Sequence, residues 1–143
     1  MANNKLVYKI DTKEMEEYQL RVLKAANRLK DFEYRFLNTI ANMVIQRAMP
    51  NTPVDTGTLR RSYKVSKVTE KGNTLEITVY NDARQNDMDE SYASYVEYGH
   101  FTRNRVSWVE GKWMLTIASD EVRAEMQRVW NQLYSEFIRE VGL

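Results

Sequence analysis

The chain contains no cysteine. That absence excludes a disulfide framework, a thiolate nucleophile and any zinc site built on cysteine, and it fits a reducing compartment. Glycine occurs five times and histidine once in 143 residues. Gly111-Lys112 has no preceding glycine at the right distance and no following Ser or Thr, so the pattern of a phosphate-cradling loop is missing. No apolar run approaches the ~20 residues a membrane-spanning helix requires, and the opening MANNKLVYKID lacks the apolar core of a signal peptide. A soluble protein made in the cytosol, with no membrane partner, is expected. Charge of one sign is not in excess either: Lys+Arg 21 against Asp+Glu 20 leaves +1. Nothing global then steers the protein toward nucleic acid, and any charge-driven partner must be met by a local patch. The length suits a single domain, residues 1–143, burying roughly 70% of the surface its unfolded chain would expose.

Periodicity supplies the elements. Leu6, Tyr8 and Ile10 alternate as in a short strand, and Asp11 with Glu14 three residues later suits a helix cap, so a helix is expected from Thr12. Met15, Tyr18, Val22, Ala25, Leu29, Phe32, Phe36, Ile40, Val44 and Ala48 then recur at steps of three and four. They draw one apolar stripe along a very long helix or two successive ones, with positions 27–31 the place for a break and Pro50 and Pro53 the stop. From Leu59 to Val68 the period becomes alternating, 70–73 supply a turn, and Leu75, Ile77 and Val79 alternate through a second strand, which makes a β-hairpin. Residues 81–91 are polar and read as a solvated loop. Tyr92, Tyr95 and Val96 share helical spacing up to Gly99, placed to stop a short helix. Residues 100–112 form a basic, aromatic loop. A last helix follows Trp113-Met114-Leu115, capped by Ser119 or Asp120, with Val122, Met126, Val129, Leu133, Phe137 and Val141 as its buried stripe. The fold class is α+β: long N-terminal and C-terminal helices on a small antiparallel sheet containing a hairpin.

Candidates for chemistry are few. His100 has Glu97 three residues before it, but acid–base work needs a second positioned group that the sequence does not name, and no Ser stands in a G-x-S-x-G turn. No catalytic residue is assigned. The acidic run Asp82, Asp87, Asp89, Glu90 lacks the glycine and terminal glutamate spacing of a calcium loop and reads as a solvated surface. No metal or cofactor is expected. Arg60, Arg61, Lys64 and Lys67, and separately Arg103, Arg105 and Lys112 with Phe101, Trp108 and Trp113, could clamp phosphates and stack on bases. A small nucleic-acid-binding protein is the alternative function, and the balanced charge argues against it.

One stretch resembles an active site at first reading: PVDTGTLRRSY, residues 53–63. Pro53 fixes its own φ and biases its neighbour toward extended backbone, Asp55 can accept backbone N–H bonds, and Gly57 supplies conformations other residues avoid. With Val54, Thr56 and Leu59 these residues make a rigid corner between helix and strand, needing no nucleophile and no ligand.

PVDTGTLRRSY after a long amphipathic helix, YASYVEYGH after a hairpin, and WVEGKWMLTIASDEV leading into the last helix together resemble the tail-completion or neck proteins of long-tailed phages and prophages. That family is related in role to the minor tail protein Z of phage lambda. The resemblance spans most of the chain from Asp11 onward. It implies an α+β virion protein at the head–tail junction, commonly part of a ring, without enzymatic activity. The implied partners are other tail and head–connector proteins and further copies of the chain. It also implies that Tyr92, Ala93, Tyr95, Val96, Glu97, Tyr98 and Gly99 form the short helix and its stop. Phe101, Arg103, Arg105, Trp108 and Lys112 are the candidate interface, on an exposed docking loop.

Overall fold

The structure, a computed structural model, describes residues 4–54, 57–84 and 92–143. Its frame is two long helices, α1 (Thr12–Asn51) and α4 (Met114–Val141). Asp11 caps α1 by accepting the Lys13 N–H at 2.9 Å. No Gly or Pro interrupts the chain between Thr12 and Met49, so α1 runs unbroken through positions 27–31, where a break had been a possibility. Residues 6–10 are not a strand; they are exposed, and no strand among the described residues pairs with them. Pro50 sits inside the last turn of α1 and does not end it. The end comes at Thr52, whose N–H bonds to the Met49 carbonyl at 3.2 Å and whose hydroxyl bonds to the Ala48 carbonyl at 2.7 Å. Arg60 Nε reaches the Thr52 carbonyl at 3.2 Å, placing a cation at a helix C-terminus that has no basic residue in its own last turn.

α4 lies antiparallel to α1. Ala118, Val122 and Val129 pack with Ala48, Val44 and Ile40, while Phe137 and Val141 pack with Phe32 and Ala25. Phe32 and Phe36 meet Trp130 edge-on, with centroids 4.8 and 4.9 Å apart. Arg47 bridges from α1 to Glu121 and Glu125. Hydrogen bonds from Arg128 and Arg47 hold the Glu125 carboxyl below its ordinary range. α1 outruns its partner: α4 ends beside Ala25, and Met15, Tyr18 and Val22, expected in the buried stripe, are exposed. No helix among the described residues is long and apolar enough to cross a membrane.

Among the described residues three antiparallel two-stranded ladders complete the fold, in place of one sheet. After Gly57 a helical turn, α2 (Thr58–Arg61), occupies positions expected to be strand. Strands β1 (Tyr63–Val65) and β2 (Thr69–Lys71) return as β3 (Thr74–Glu76) and β4 (Val79–Asn81). Val65 pairs with Val79 and Thr69 with Glu76, so three residues on one side face two on the other. That bulge splits the hairpin in two, and Ser66 spans the gap: its N–H donates to the Thr78 carbonyl, and its hydroxyl accepts from the Thr78 N–H. Tyr63 and Val79 rest on the α1–α4 core. Burial raises the Tyr63 phenol above its ordinary range, and its hydroxyl lies 2.7 Å from Thr52 Oγ1. Asn81 and Ala83, expected in a solvated loop, are buried; Asn81 donates to the Leu59 carbonyl and accepts from the Ala83 N–H.

Of the expected corner, Asp55 and Thr56 lie outside the described residues. Pro53 and Val54 are exposed, Gly57 has φ 77°, and Leu59 is buried with Ala83, Ala93 and Met114. Gly57→Ala is expected to cost about 1 kcal/mol, because a Cβ disfavours positive φ. The nearest atom such a Cβ would meet is Arg61 Nη1 at 2.8 Å, the far end of a long side chain and not backbone, so the cost is mainly conformational. An unchanged melting temperature would refute it.

Candidate functional site

Four of the five candidate interface residues stand on a second hairpin where the sequence suggested a loop. α3 (Tyr92–Tyr98) runs into β5 (Gly99–Phe101), which pairs with β6 (Trp108–Glu110) in the register Gly99↔Glu110, His100↔Val109, Phe101↔Trp108. Its tip is ordered by short polar bonds. The Thr102 N–H donates to the Ser107 carbonyl at 2.8 Å, and the Thr102 hydroxyl donates to Asn104 Oδ1 at 2.7 Å and accepts from the Ser107 N–H at 3.1 Å.

The base is built round Glu97. Its backbone carbonyl accepts from the Trp113 N–H at 3.1 Å, next to the bond from the Lys112 N–H to the Val96 carbonyl at 2.7 Å. Its carboxylate, buried, accepts from the Leu115 N–H at 2.9 Å, the Thr116 N–H at 2.9 Å and the Thr116 hydroxyl at 2.7 Å. A negative charge thus sits on the open N–H groups at the N-terminus of α4, where the helix dipole favours it. Trp113, at the cap position with φ 50°, offers no side-chain bond of its own. The helix therefore starts at Met114 on a cap supplied by another helix, not at Ser119 or Asp120. Beneath this junction Leu59, Ala83, Ala93 and Met114 form a small core with Tyr92 and Val96, so the corner of the first hairpin supports the second.

On this base the fold displays large apolar groups to solvent. Phe101 is 61% exposed and Val106 77%. Trp108 is 47% exposed, crosses Phe101 edge-on at 5.0 Å, and covers Gly99 with its indole edge. Tyr98 and Trp113 form a second exposed edge-on pair at 5.5 Å. Arg103, Arg105 and Lys112 are exposed among them. Four of the five candidate interface residues, Phe101, Arg103, Arg105 and Trp108, thus share the hairpin, and Lys112 follows it at the base. Trp113, already in the basic-aromatic cluster of the sequence, is exposed beside them, as are Tyr98 and Val106, missed because their apolar character reads equally well as core.

The first basic cluster is placed differently. Arg60 caps α1, and Lys64 pairs with Asp82 at 2.7 Å, so two of its four cations serve the fold. His100 lies edge-on to Tyr95 at 5.5 Å, with Nδ1 3.4 Å from the Tyr95 carbonyl. No group of His, Cys, Asp or Glu among the described residues is arranged to hold a metal ion; Asp87, Asp89 and Glu90 lie outside them.

No curated protein and no solved structure matches the chain. A family model does, the one described as "Bacteriophage HK97-gp10, putative tail-component", over residues 16–99. The match takes in α1 from its second turn onward, the corner, the first hairpin and α3, and it stops at Gly99, where the exposed hairpin begins. Since it covers more than half of the sequence, this chain belongs to the HK97-gp10-like family of phage tail components.

Proposed function

We propose that this protein is a non-catalytic structural component of the virion that completes the tail at the head–tail junction, assembling there as a ring and contacting tail and head–connector proteins. Family membership supports the tail role. The observation that carries the rest is the hairpin β5–β6, which holds Phe101, Val106 and Trp108 in solvent on a rigid base. Exposed apolar clusters of this kind, rimmed by cations, mark protein interfaces.

Mixing the purified protein with tail tubes and with DNA-filled heads, then imaging which end is decorated, tests the location. Trp108→Ala and Arg105→Ala test the surface. Trp and Arg commonly dominate interfaces, where truncating one anchor costs ~2 kcal/mol or more. Both variants are expected to melt near the wild type and to lose assembly. A Trp108→Ala protein that melts much lower, alongside an Arg105→Ala protein that still assembles, would return the hairpin to the fold.

A further inference from the structure

The segment ahead of α1 carries its apolar side chains to no partner. Leu6 is 84% exposed, Tyr8 87% and Ile10 81%, and they alternate with Lys5, Val7 and Lys9, so that an extended form has one fully apolar face. This is the pattern of a strand without a sheet, and no strand among the described residues pairs with it. Lys5 and Lys9 are its only charges.

Between α1 and the β2–β3 tip at Gly72 and Asn73 runs an open groove. Its two parts, of about 390 and 230 Å³, share Glu33, Asn73 and Leu75. Leu29, Phe36, Leu37, Leu75 and Trp130 give it apolar walls, and its charged lining is Lys30, Glu33 and Glu70. Lys30 pairs with Glu70 at 2.6 Å, which leaves the Glu33 carboxylate in excess. The groove also offers backbone. Lys71 and Thr74 flank the turn and pair with each other, so by antiparallel alternation the next pair, Glu70 and Leu75, exchanges no bonds, and the Leu75 N–H and carbonyl are turned away from β2. Neither has a partner among the described residues. A free strand edge beside an apolar groove takes an extended segment with apolar side chains on one face.

The arm of the same molecule is too short to fill it. The groove follows α1 from Ala26 to Leu37, roughly 20–40 Å from Thr12 at 1.5 Å per residue, whereas residues 5–10 span at most ~20 Å when fully extended. We propose that residues 5–10 of one copy dock in this groove of a second copy as a strand beside β3. Leu6, Tyr8 and Ile10 lie on Leu29, Phe36 and Trp130, the backbone bonds to Leu75, and the lysines answer Glu33. Arm and groove are different surfaces, so the contact can run head to tail, and such contacts close into rings when the rotation per copy permits. This deepens the ring reading above by naming the segment and the groove of its contact.

Sedimentation velocity over a concentration series of the full chain is the first test. The wild type is expected to self-associate. Leu6→Ser/Tyr8→Ser/Ile10→Ser removes the apolar face of the arm, and Leu29→Arg puts a cation in the groove at a side chain that is already exposed. Both variants should melt near the wild type and associate at least tenfold more weakly. Mixed together they should form pairs and nothing larger, since one intact arm then meets one intact groove. The second test joins isotopically labelled and unlabelled wild-type chains with a zero-length carbodiimide. Mass spectrometry should find Lys5 or Lys9 bonded to Glu33 or Glu70 in peptides that carry one labelled and one unlabelled half. A wild type that stays monomeric, either variant associating normally, or bonds from Lys5 and Lys9 that lie within one copy or reach only Glu110 would each overturn the proposal. The ring and junction readings are judged separately. A wild-type dimer with these bonds, growing no further, keeps this contact and removes the ring. Tails decorated normally by both variants remove this contact and leave the junction standing.

Discussion

Glu97→Ala is expected to lower the melting temperature by roughly 10 °C. The carboxylate is buried and accepts three hydrogen bonds from Leu115 and Thr116. Bonds to a charged acceptor contribute about 1.5–3 kcal/mol each in mutational series, but they share one side chain and are not additive, and removing a helix cap alone costs about 1–2 kcal/mol. A combined loss of about 3 kcal/mol is reasonable, and a chain of this size loses about 3 °C per kcal/mol. Glu97→Gln keeps one carbonyl oxygen of similar reach and gives up the charge, so it should fall between wild type and alanine. The damage should also be local. Amides at the start of α4 and along β5–β6 should exchange faster in Glu97→Ala than those between Val122 and Phe137. A melting temperature within about 2 °C of wild type would mean that α4 finds another cap, and the junction would not depend on this side chain.

The sequence made the two long helices legible and left their junction hidden, for reasons that lie in the range of the interactions. The stripe from Met15 to Ala48 is written in local spacing, and nothing in residues 12–49 contradicts a helix. The cap of α4 comes from a residue 18 and 19 positions earlier, so no local signature announces it. Ser119 and Asp120 have the composition of a cap, but the helix had already begun a turn before them. The first hairpin was legible from its turn at positions 70–73, whereas the one-residue bulge inside it leaves no mark in composition. Strand β5, Gly-His-Phe, and strand β6, Trp-Val-Glu, are three residues each, too short for alternation to show against the polar tip between them. Alternation at residues 6–10 misled for the opposite reason: a strand needs a neighbour, and none among the described residues pairs with them. The overhang could have been inferred. The stripe of the first helix runs from position 15 to 48, that of the last only from 122 to 141, so a single antiparallel partner is too short to cover it. The candidate interface residues were legible as a cluster from composition, but the hairpin that rigidifies them depends on two glycines whose role appears only in three dimensions.

Gly111→Ala should be as damaging as the loss of Glu97, by a different route. A Cβ at this position would lie 2.3 Å from the Glu97 carbonyl oxygen, 2.6 Å from the Tyr98 carbonyl carbon and 2.8 Å from the Gly99 nitrogen. All three are backbone atoms, so no rotamer change relieves the contact; the end of α3 and the return strand of the hairpin must move apart. Inserting one methyl into packed structure costs about 1–3 kcal/mol, and more where nothing can yield. About 3 kcal/mol is expected here, again roughly 10 °C in melting temperature. The comparison with Gly57→Ala separates two uses of glycine: there the obstacle is a movable arginine head and the cost is the positive φ alone, here the obstacle is fixed. Separation at Gly111 would also lengthen the bonds from Lys112 and Trp113 to the Val96 and Glu97 carbonyls, loosening the platform beneath Phe101 and Trp108. Gly111→Ala should therefore lose both melting temperature and assembly, whereas Arg105→Ala should lose assembly alone. A Gly111→Ala protein that melts like the wild type would show that the hairpin can lift from α3 without cost, and the rigid base on which the interface reading depends would be gone.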